Sequence, residues 1–237
     1  MASLTGKRIL VIGRASGIAR AVVTAAAELG AEVIVAGRDS NKLREAYATE
    51  GYAAETVDVT DESSIAALAV KLGRVDHVVT TASARARGKV ADLAAETIAL
   101  SFATKAIGPI LLAKHLAPIM PSDGSFVLSS GATAVRPTVG MLAVAGTNGA
   151  VDSITKGLAV ELAPIRANAV SPGTIDTGAY DGLGEQGKSA LFAERGSKNP
   201  AGRIGNSDDI ARAVIFALTA DFLTGVSIPV DGGETLV

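Results

Sequence analysis

The sequence contains no cysteine and no tryptophan, and it has two histidines among its 237 residues. The absence of cysteine excludes disulfide bonds and thiolate zinc sites, and two histidines are too few for a three-histidine metal centre. We therefore predict no metal site. Aromatic residues make up 3% of the chain, which leaves few side chains on which the bases of single-stranded nucleic acid can stack.

The chain also lacks an excess of charge of one sign and a long hydrophobic run. It has 22 Lys+Arg against 24 Asp+Glu, whereas a nucleic-acid-binding domain would be strongly basic. The longest stretch without a charged residue, Pro137–Val151, is shorter than the ~18 apolar residues of a membrane-spanning helix. A strand-like run begins by Arg8, which leaves no room for a secretory signal. We expect a soluble, cytoplasmic protein without a nucleic-acid or membrane partner.

Short apolar runs alternate with helical patterns along the chain. The runs that we assign to strands are Lys7–Ile12, Glu32–Ala36, Ala53–Val57, Val75–Thr80, Ser125–Ser129, Ala167–Val170 and Val226–Val230. Strands joined by helices are parallel, and strands covered on both faces are continuously apolar, as these are. The pattern predicts a single α/β domain over residues 1–237, with a Rossmann-type doubly wound parallel sheet of about seven strands and helices on both faces.

The helical patterns between these strands have recognisable ends. They cover Ile18–Leu29, a helix from Asn41 capped by Ser40, Asp61–Leu72, Asp92–Met120 with a kink at Gly108-Pro109, Gly140–Ala163 and Asp208–Thr219. The segment 175–206 is rich in glycine and charge and interrupts the alternation. Its position after a strand suits a mobile substrate lid, and a solvated surface excursion explains its composition equally well.

A turn with two glycines joins the first strand to the first helix. It reads Gly13-Arg14-Ala15-Ser16-Gly17-Ile18. Gly13 permits a tight turn, and Gly17 lets the backbone approach a pyrophosphate closely. The helix from Ile18 directs its N–H groups and the positive end of its dipole at the phosphates. We therefore predict a dinucleotide site at the carboxyl ends of the strands.

The end of the second strand indicates which dinucleotide binds. A carboxylate there would accept a hydrogen bond from the ribose 2′-hydroxyl of NAD, but the chain has Gly37-Arg38 and no acid before Asp39. The Arg38 guanidinium can bind a 2′-phosphate through two parallel hydrogen bonds, and Arg14 can add a second positive charge. We expect NADP(H); a solvated arginine in the loop is the alternative for Arg38.

Five separate segments together resemble the short-chain dehydrogenase/reductase family, in particular its single-domain ketoacyl-reductase-like members. They are Gly13–Ala19, Asp58-Val59, Ser171-Pro172-Gly173 with Thr177, the run PAGRIGNSDD at 200–209, and Val230-Asp231-Gly232-Gly233. The resemblance covers nearly the whole chain. It implies a Rossmann-type fold, a nicotinamide cofactor and usually a tetramer.

The resemblance also implies further cofactor contacts. Asp58 would hold the adenine amino group, Val59 would pack against the ring, and Thr177 would place a hydroxyl near the nicotinamide carboxamide or the pyrophosphate. The remaining implied contacts are Thr81, Ala82, Pro172 and Gly173. Thr81 and Ala82 fall where the family has Asn-Asn-Ala-Gly, and this sequence has Thr-Thr-Ala-Ser.

The catalytic pair of the family is missing from the sequence. The family places a Tyr and a Lys four residues apart on the helix after the fifth strand, so that both lie on one helix face. The phenol exchanges a proton with the carbonyl, while the ammonium lowers its pKa and holds the ribose. Aligned on the Gly149–Asp152 tail, the Tyr position is Val144 and the Lys position is Asn148. Neither side chain can replace its counterpart.

Other polar groups lie near the vacated positions. The family's Ser at the end of the fifth strand matches Ser129 or Ser130, and the spacing leaves both open. The family's Asn on the preceding helix corresponds to Lys105, which falls on a mainly apolar helix face. Its ammonium can enter the space that Asn148 leaves and bind the ribose or donate to an oxygen. Alternatively, it snorkels to water.

These residues support two hypotheses of different kinds. The first is an NADP(H)-dependent oxidoreductase with a non-standard active site, which reduces a small carbonyl, enone or imine-type substrate. The alternative is a catalytically inactive NADP-binding subunit or a non-redox protein on the same fold. In both cases we expect a homo-oligomer, a dimer or a tetramer. Arg85, Arg87 and Arg136 flank the expected cleft and can bind an anionic substrate, although a solvated face accounts for them too.

Overall fold

The computed structural model describes residues 3–178 and 180–237. The predicted domain over 1–237 and the predicted lid over 175–206 therefore include residues 1, 2 and 179, which lie outside the described residues. The strands are β1 Arg8–Ile12, β2 Glu32–Gly37, β3 Ala53–Thr56, β4 His77–Thr80, β5 Ser125–Ser129, β6 Arg166–Pro172, β7 Ile175–Asp176, β8 Gly205–Asn206 and β9 Ser227–Val230. The helices are α1 Gly17–Glu28, α2 Ser40–Ala46, α3 Glu62–Leu72, α4 Ala95–Phe102, α5 Gly108–Leu116, α6 Leu142–Glu161, α7 Gly184–Lys198 and α8 Ser207–Thr219.

Seven of the strands form one parallel sheet in the order β3-β2-β1-β4-β5-β6-β9. The chain first builds outward from β1 to β3 and then returns to pair β4 with the other side of β1, with Ile12 opposite Thr80. This reversal is the topological switch point at which doubly wound sheets bind ligands, beyond the carboxyl ends of the strands. The predicted fold class is confirmed.

The sheet separates two apolar clusters because successive side chains of a strand point to opposite faces. Ile9 and Val11 of β1 face a cluster that includes Val22 of α1 and Ile210 of α8. Leu10 and Ile12 face the other cluster, in which α3, α5 and α6 cover the sheet. Each strand therefore needs apolar residues at successive positions, because both of its faces are buried. This is why the β-branched runs in the sequence predict the sheet.

The long helix before β5 is irregular at a different place from the one that the sequence predicts. A π-helical turn covers Ala103–Ile107 and joins α4 to α5, whereas the sequence predicts a kink at Gly108-Pro109. Pro109 has no N–H to donate to the carbonyl of Lys105, and its ring crowds that carbonyl. The helix therefore widens one turn before the proline, and Lys105 lies within the widened turn.

The continuous stretch Ala95–Ile119 is long and apolar enough, by length and composition, to cross a membrane. The sequence predicts no such segment, because Glu96, Lys105 and Lys114 divide the stretch into shorter uncharged runs. In the structure α5 of this stretch packs on α3 and α6. The helix therefore forms part of the covering of the sheet.

The predicted cap of α2 needs correction, and the segment 175–206 contains elements that the sequence does not predict. The N-cap of α2 is Asp39 and not Ser40, because the Asp39 side chain accepts hydrogen bonds from the N–H groups of Asn41 and Lys42. The segment 175–206 contains the helix α7 and a two-stranded parallel sheet of β7 and β8. The helix α7 is largely exposed and has little need of an apolar face. Its many glycine and charged residues therefore give no helical pattern in the sequence.

Candidate active site

The glycine turn lies between β1 and α1 and is held at close range by residues from other segments. A side-chain carbon added at Gly13 would lie 2.2 Å from Thr81 Oγ1 and 2.9 Å from the Cβ of Ala19. Gly17 has a φ of +58° and would place such a carbon 3.1 Å from Thr177. Only glycine fits both positions. The structure thus brings Thr81 and Thr177, two predicted cofactor contacts, against the turn.

The first turn of α1 has N–H groups without a side-chain acceptor. Its N-cap, Ser16, makes no side-chain capping hydrogen bond, and the first turn contains no acidic residue. In contrast, the helices after β2 and β3 are capped by the carboxylates of Asp39 and Asp61. Uncapped N–H groups and the positive end of the helix dipole bind phosphate well. Ile18 packs against the core and anchors this end of the helix.

Two exposed arginines lie beside this helix end without a bonding partner. Within the part of the chain that the structure describes, Arg14, Arg38, Arg85 and Arg87 make no hydrogen bond or ion pair, whereas every other arginine does. Of these, Arg14 belongs to the glycine turn and Arg38 follows β2. Their guanidinium groups fit a phosphate ligand.

The nearest acid to the end of β2 is already engaged. Asp39 Oδ1 accepts from the N–H groups of Asn41 and Lys42 at 3.1 Å each. The N–H of Lys42 is the largest cause that holds the pKa of this carboxyl below its usual range. Because the Asp39 carboxylate caps the helix, Arg38 is the charged group at this strand end that has no partner among the described residues.

Asp58 and Val59 follow β3. They lie at the edge of the sheet that the carboxyl ends of the strands form, here called the cofactor rim. Asp58 Oδ1 accepts hydrogen bonds from the N–H of Thr60 at 2.9 Å and from Thr60 Oγ1 at 2.7 Å. Its own N–H donates to Ser64 Oγ at 3.0 Å. Val59 is buried beside Gly108. The carboxylate of Asp58 is therefore held in one orientation at the rim, with one oxygen committed to Thr60.

The loops after β4 and β6 complete the rim. Thr81 donates from its N–H and from its hydroxyl to the carbonyl of Ile12, and Ala82 packs on the core. Pro172 ends β6 opposite Val230. A side-chain carbon on Gly173 would lie 2.7 Å from Glu234 Oε2.

Sequence reasoning missed the carboxylate that fixes the loop after β6. Glu234 accepts hydrogen bonds from both the N–H and the hydroxyl of Thr174. Arg195 of α7 donates to the same threonine hydroxyl at 2.7 Å. This network ties the end of the chain and α7 to the cofactor rim. Glu234 directly follows Asp231-Gly232-Gly233. This position was the available signal for Glu234, but the family resemblance extends only to Gly233.

A buried cluster of three side chains lies beyond the ends of β5 and α4. Lys105 is only 6% exposed, and its Nζ donates to the carbonyl of Ser130 at 3.0 Å and to Asn148 Oδ1. The hydroxyl of Ser130 donates to the carbonyl of Asn148 at 3.2 Å. The alternative in which Lys105 snorkels to water is wrong, since its ammonium is enclosed by protein groups.

The amide of Asn148 has a fixed orientation. Its Nδ2 donates to Thr133 Oγ1 at 2.7 Å, so its oxygen faces Lys105. Sequence reasoning missed Thr133, because the residue lies in a short 3₁₀ helix between β5 and α6 that carries no family signature. Val144 is buried one turn before Asn148 and contributes no exchangeable proton. Ser129 is partly buried at the end of β5, and Ser130 rather than Ser129 makes the described contacts to this cluster.

The surroundings change the acidity of Lys105. The pKa of its ammonium is lowered from 10.5 to about 7, mainly by burial and then by the positive charge of Arg85, while Asp152 opposes the shift. A group with a pKa close to neutral both holds and releases a proton under working conditions. The ammonium of Lys105 can therefore exchange a proton near neutral pH.

The parallel sheet, its switch point and the glycine turn define a dinucleotide-binding α/β protein. A family model described as enoyl-(acyl carrier protein) reductase matches residues 13–235. The chain belongs to the short-chain dehydrogenase/reductase family, an oxidoreductase family.

Several relatives match over almost the entire chain. The short-chain dehydrogenase/reductase ATR9 of Stachybotrys chlorohalonatus is 30% identical over 253 residues and covers 100% of both chains. A Xanthobacter autotrophicus protein named inactive 2-(S)-hydroxypropyl-CoM dehydrogenase 2 is 35% identical over 228 residues, with 90% of this chain and 99% of that protein covered. A solved small-chain dehydrogenase in complex with NADPH is 31% identical, with a TM-score of 0.85 over 98% of this chain and 99% of the other.

Proposed function

We propose that the protein is a cytoplasmic NADP(H)-dependent oxidoreductase with a non-standard active site. Its substrate would be a small carbonyl, enone or imine. The observation that carries the proposal is the buried ammonium of Lys105, bonded to Asn148 beside the cofactor rim. NADPH supplies a hydride when it is bound. The residues of the chain would bind and orient the reactants and hold the proton.

The choice of NADP(H) rests on charge at the adenosine end. Arg14 and Arg38 are exposed cations without partners among the described residues, and Asp39 is committed to its helix. A related solved structure contains NADPH. The uncapped end of α1 would bind the pyrophosphate, while Asp58 and Thr177 would contact the adenine and the nicotinamide side.

The catalytic proposal rests on an exchange of two residue types between two helices. The family has Asn on the helix before β5 and Lys on the helix after it; this chain has Lys105 and Asn148. The pocket therefore keeps one ammonium and one amide, and the ammonium enters from the opposite side. We assign to Lys105 Nζ both the contact with the ribose and the delivery of a proton to the substrate oxygen or nitrogen. Asn148 positions that ammonium through Oδ1.

NADPH oxidation measured over ketones, quinones, enones and imines tests this function. We expect turnover of at least one class, and Lys105→Met should reduce it by about a hundredfold or more while NADPH still binds. Lys156→Met is a control, because that lysine is exposed on α6. Equal turnover in the wild type and in Lys105→Met would contradict the assigned role.

A second candidate is a catalytically inactive NADP-binding subunit. It is favoured by the buried Val144 at the tyrosine position and by the word "inactive" in the name of the 35% identical relative. Tight NADPH binding without turnover of any substrate class would support this candidate. Formation of a hetero-oligomer with a catalytically complete relative would then identify the subunit role.

We further propose that the chain forms a homo-oligomer through the long helix and α6. Ile107 and Ile110 are 52% and 47% exposed, and Leu142 and Val160 of α6 are 56% and 79% exposed. Exposed apolar side chains on neighbouring helices are typical of protein interfaces. Light scattering should give the mass of a dimer or a tetramer; the mass of one chain would contradict this proposal.

The segment 175–206 is proposed as the substrate lid. Lys188 of α7 lies 2.8 Å from carboxylate oxygens of Asp176 and Asp181, and Arg195 of α7 donates to Thr174 Oγ1 at 2.7 Å. Ion pairs between partly exposed side chains contribute little stability, which would allow the segment to move in spite of the contact with Thr174. Limited proteolysis should cleave 175–206 more slowly when NADPH and substrate are present. An unchanged cleavage rate would favour a static surface segment.

A further inference from the structure

Two of the arginines without a partner among the described residues lie in the segment after β4. Arg85 and Arg87 are both exposed, and Ala86 between them is 3% exposed. Because the middle residue is buried, the arginines on either side of it are directed away from the core. They form a pair of cations with no bonding partner among residues 3–178 and 180–237.

The backbone that carries this pair is anchored at both ends. Ser101 Oγ of α4 donates to the carbonyl of Ala84 at 2.7 Å. The N–H of Gly88 donates to the carbonyl of Gly140 at 3.0 Å, just before α6. The segment that carries the two arginines is thus attached at one end to α4, which leads into the turn of Lys105, and at the other end to Gly140 just before α6, the helix that carries Asn148. An anchored segment positions its side chains at a lower entropic cost than a mobile loop.

Electrostatic effects connect the pair to the buried ammonium. Burial is the largest cause that lowers the pKa of Arg85; the charges of Arg87 and Arg14 lower it too, while Tyr180 opposes them. Arg85 in turn lowers the pKa of Lys105. The charge of Arg85 therefore acts on the buried cluster, to which the anchored segment is attached.

Among the ion pairs of the described residues, none includes Lys105, Arg85 or Arg87. Asp152 raises the pKa of Lys105, but no hydrogen bond joins the two side chains in the described part of the chain. Like charges held together without a counter-ion are unfavourable, and a ligand of opposite charge relieves that cost.

We propose that the substrate carries an oxyanion group, and that Arg85 and Arg87 bind this group while the reducible part of the molecule faces Lys105. The shared chemistry is that of a carboxylate, phosphate or sulfonate. This inference rests on the proposed function for the assignment of the reacting end, but binding of the anion does not require turnover. Neutral carbonyl compounds of the same size would bind weakly.

The test is calorimetric titration of the full-length protein saturated with NADPH, so that the adenosine end is already filled. The probes are benzoate, phenyl phosphate and benzenesulfonate, with methyl benzoate as the neutral match. We expect at least one anion to bind about tenfold or more tightly than the ester, and more weakly as salt is added. The three anions distinguish the kind of oxyanion.

The variant Arg85→Gln/Arg87→Gln should lose about tenfold or more of that anion affinity. The variant Arg85→Lys/Arg87→Lys should retain part of it, because the charge remains while the paired geometry is lost. Lys156→Gln removes one exposed charge from α6 and should leave the affinity unchanged. NADPH affinity measured on each variant reports whether it is folded.

The possible failures can be told apart. If the anions bind through Arg85 and Arg87 but no substrate is turned over, the oxidoreductase proposal fails and the anion site stands. If neutral substrates are turned over as efficiently as anionic ones, or if the glutamine variant binds anions as the wild type does, the anion site is refuted and the oxidoreductase proposal stands.

Discussion

The ammonium of Lys105 donates a hydrogen bond to the side-chain oxygen of Asn148, across the interface between the long helix and α6. Both residues are buried. The π-helical turn that holds Lys105 precedes Pro109, whose ring disfavours regular α-helix at that point. A proline in the sequence thus helps to place Lys105 opposite Asn148.

Stability should depend on pH through Lys105. Its pKa is about 7 in the folded protein, against 10.5 for an ordinary lysine, so the unfolded chain binds more protons between these values. The free energy of unfolding should therefore rise as the pH increases from 7 towards 10.5. Lys105→Met should remove this dependence, which urea unfolding at several pH values measures. An equal slope in the variant would show that other groups cause it.

Arg38 should control the choice between the two nicotinamide cofactors. Arg38→Gln removes a guanidinium that has no other partner among the described residues, so NADPH affinity should fall by about tenfold or more. NADH has no 2′-phosphate, and its affinity should change little. Titration of both cofactors provides the internal control. A parallel loss for both would indicate a general disturbance of the site instead.

Two glycines should respond oppositely to alanine. Gly17 has a φ of +58° and faces Thr177 at 3.1 Å, so Gly17→Ala should destabilise the protein by about 1 kcal/mol or more and weaken cofactor binding. Gly149 lies in α6 with no atom within 4 Å of an added carbon, so Gly149→Ala should stabilise by about 0.5–1 kcal/mol. Thermal unfolding of the two variants compares them; stabilisation by Gly17→Ala would contradict the geometry.

Restoring the family residues should produce ordinary ketone reductase activity. The variant combines Val144→Tyr, Asn148→Lys and Lys105→Asn, because two lysines facing each other in a buried pocket would repel. If the cofactor rim is intact, the new phenol and ammonium should act on simple ketones. NADPH oxidation before and after the change is the measurement. An inactive but folded variant that still binds NADPH would argue that the pocket geometry differs from that of the family.

Most of the fold could be predicted from the sequence because the sheet depends on one simple requirement. Each strand is buried on both faces, so β-branched runs such as those of β1 and β5 are necessary and visible. The helix α7 escaped detection because it is largely exposed and has no apolar stripe. The sequence does not decide between Asp39 and Ser40 as the N-cap of α2, because aspartate and serine are both good caps. Only the hydrogen bonds of Asp39 in the structure distinguish them.

The candidate site could be predicted only in part. Gly13 and Gly17 can be recognised because glycine between a strand and a helix permits a tight turn and a close approach of the backbone to a pyrophosphate. Thr133 and Glu234 contact the site from short 3₁₀-helical turns whose positions depend on tertiary structure. Thr133 has no local signal in the sequence, whereas Glu234 follows the Asp-Gly-Gly run. The sequence raised two possibilities for Lys105, and the choice between them depended on the packing of the long helix against α6.

The most direct test of the account is the pH dependence of hydride transfer in the wild type and in Lys105→Met, measured as single-turnover NADPH oxidation with the best substrate found. If the ammonium of Lys105 delivers the proton, the wild-type rate should fall as the pH rises through the pKa of that group. The variant should be slower by about a hundredfold or more and independent of pH in this range. A variant that keeps the wild-type rate and pH profile would contradict the account.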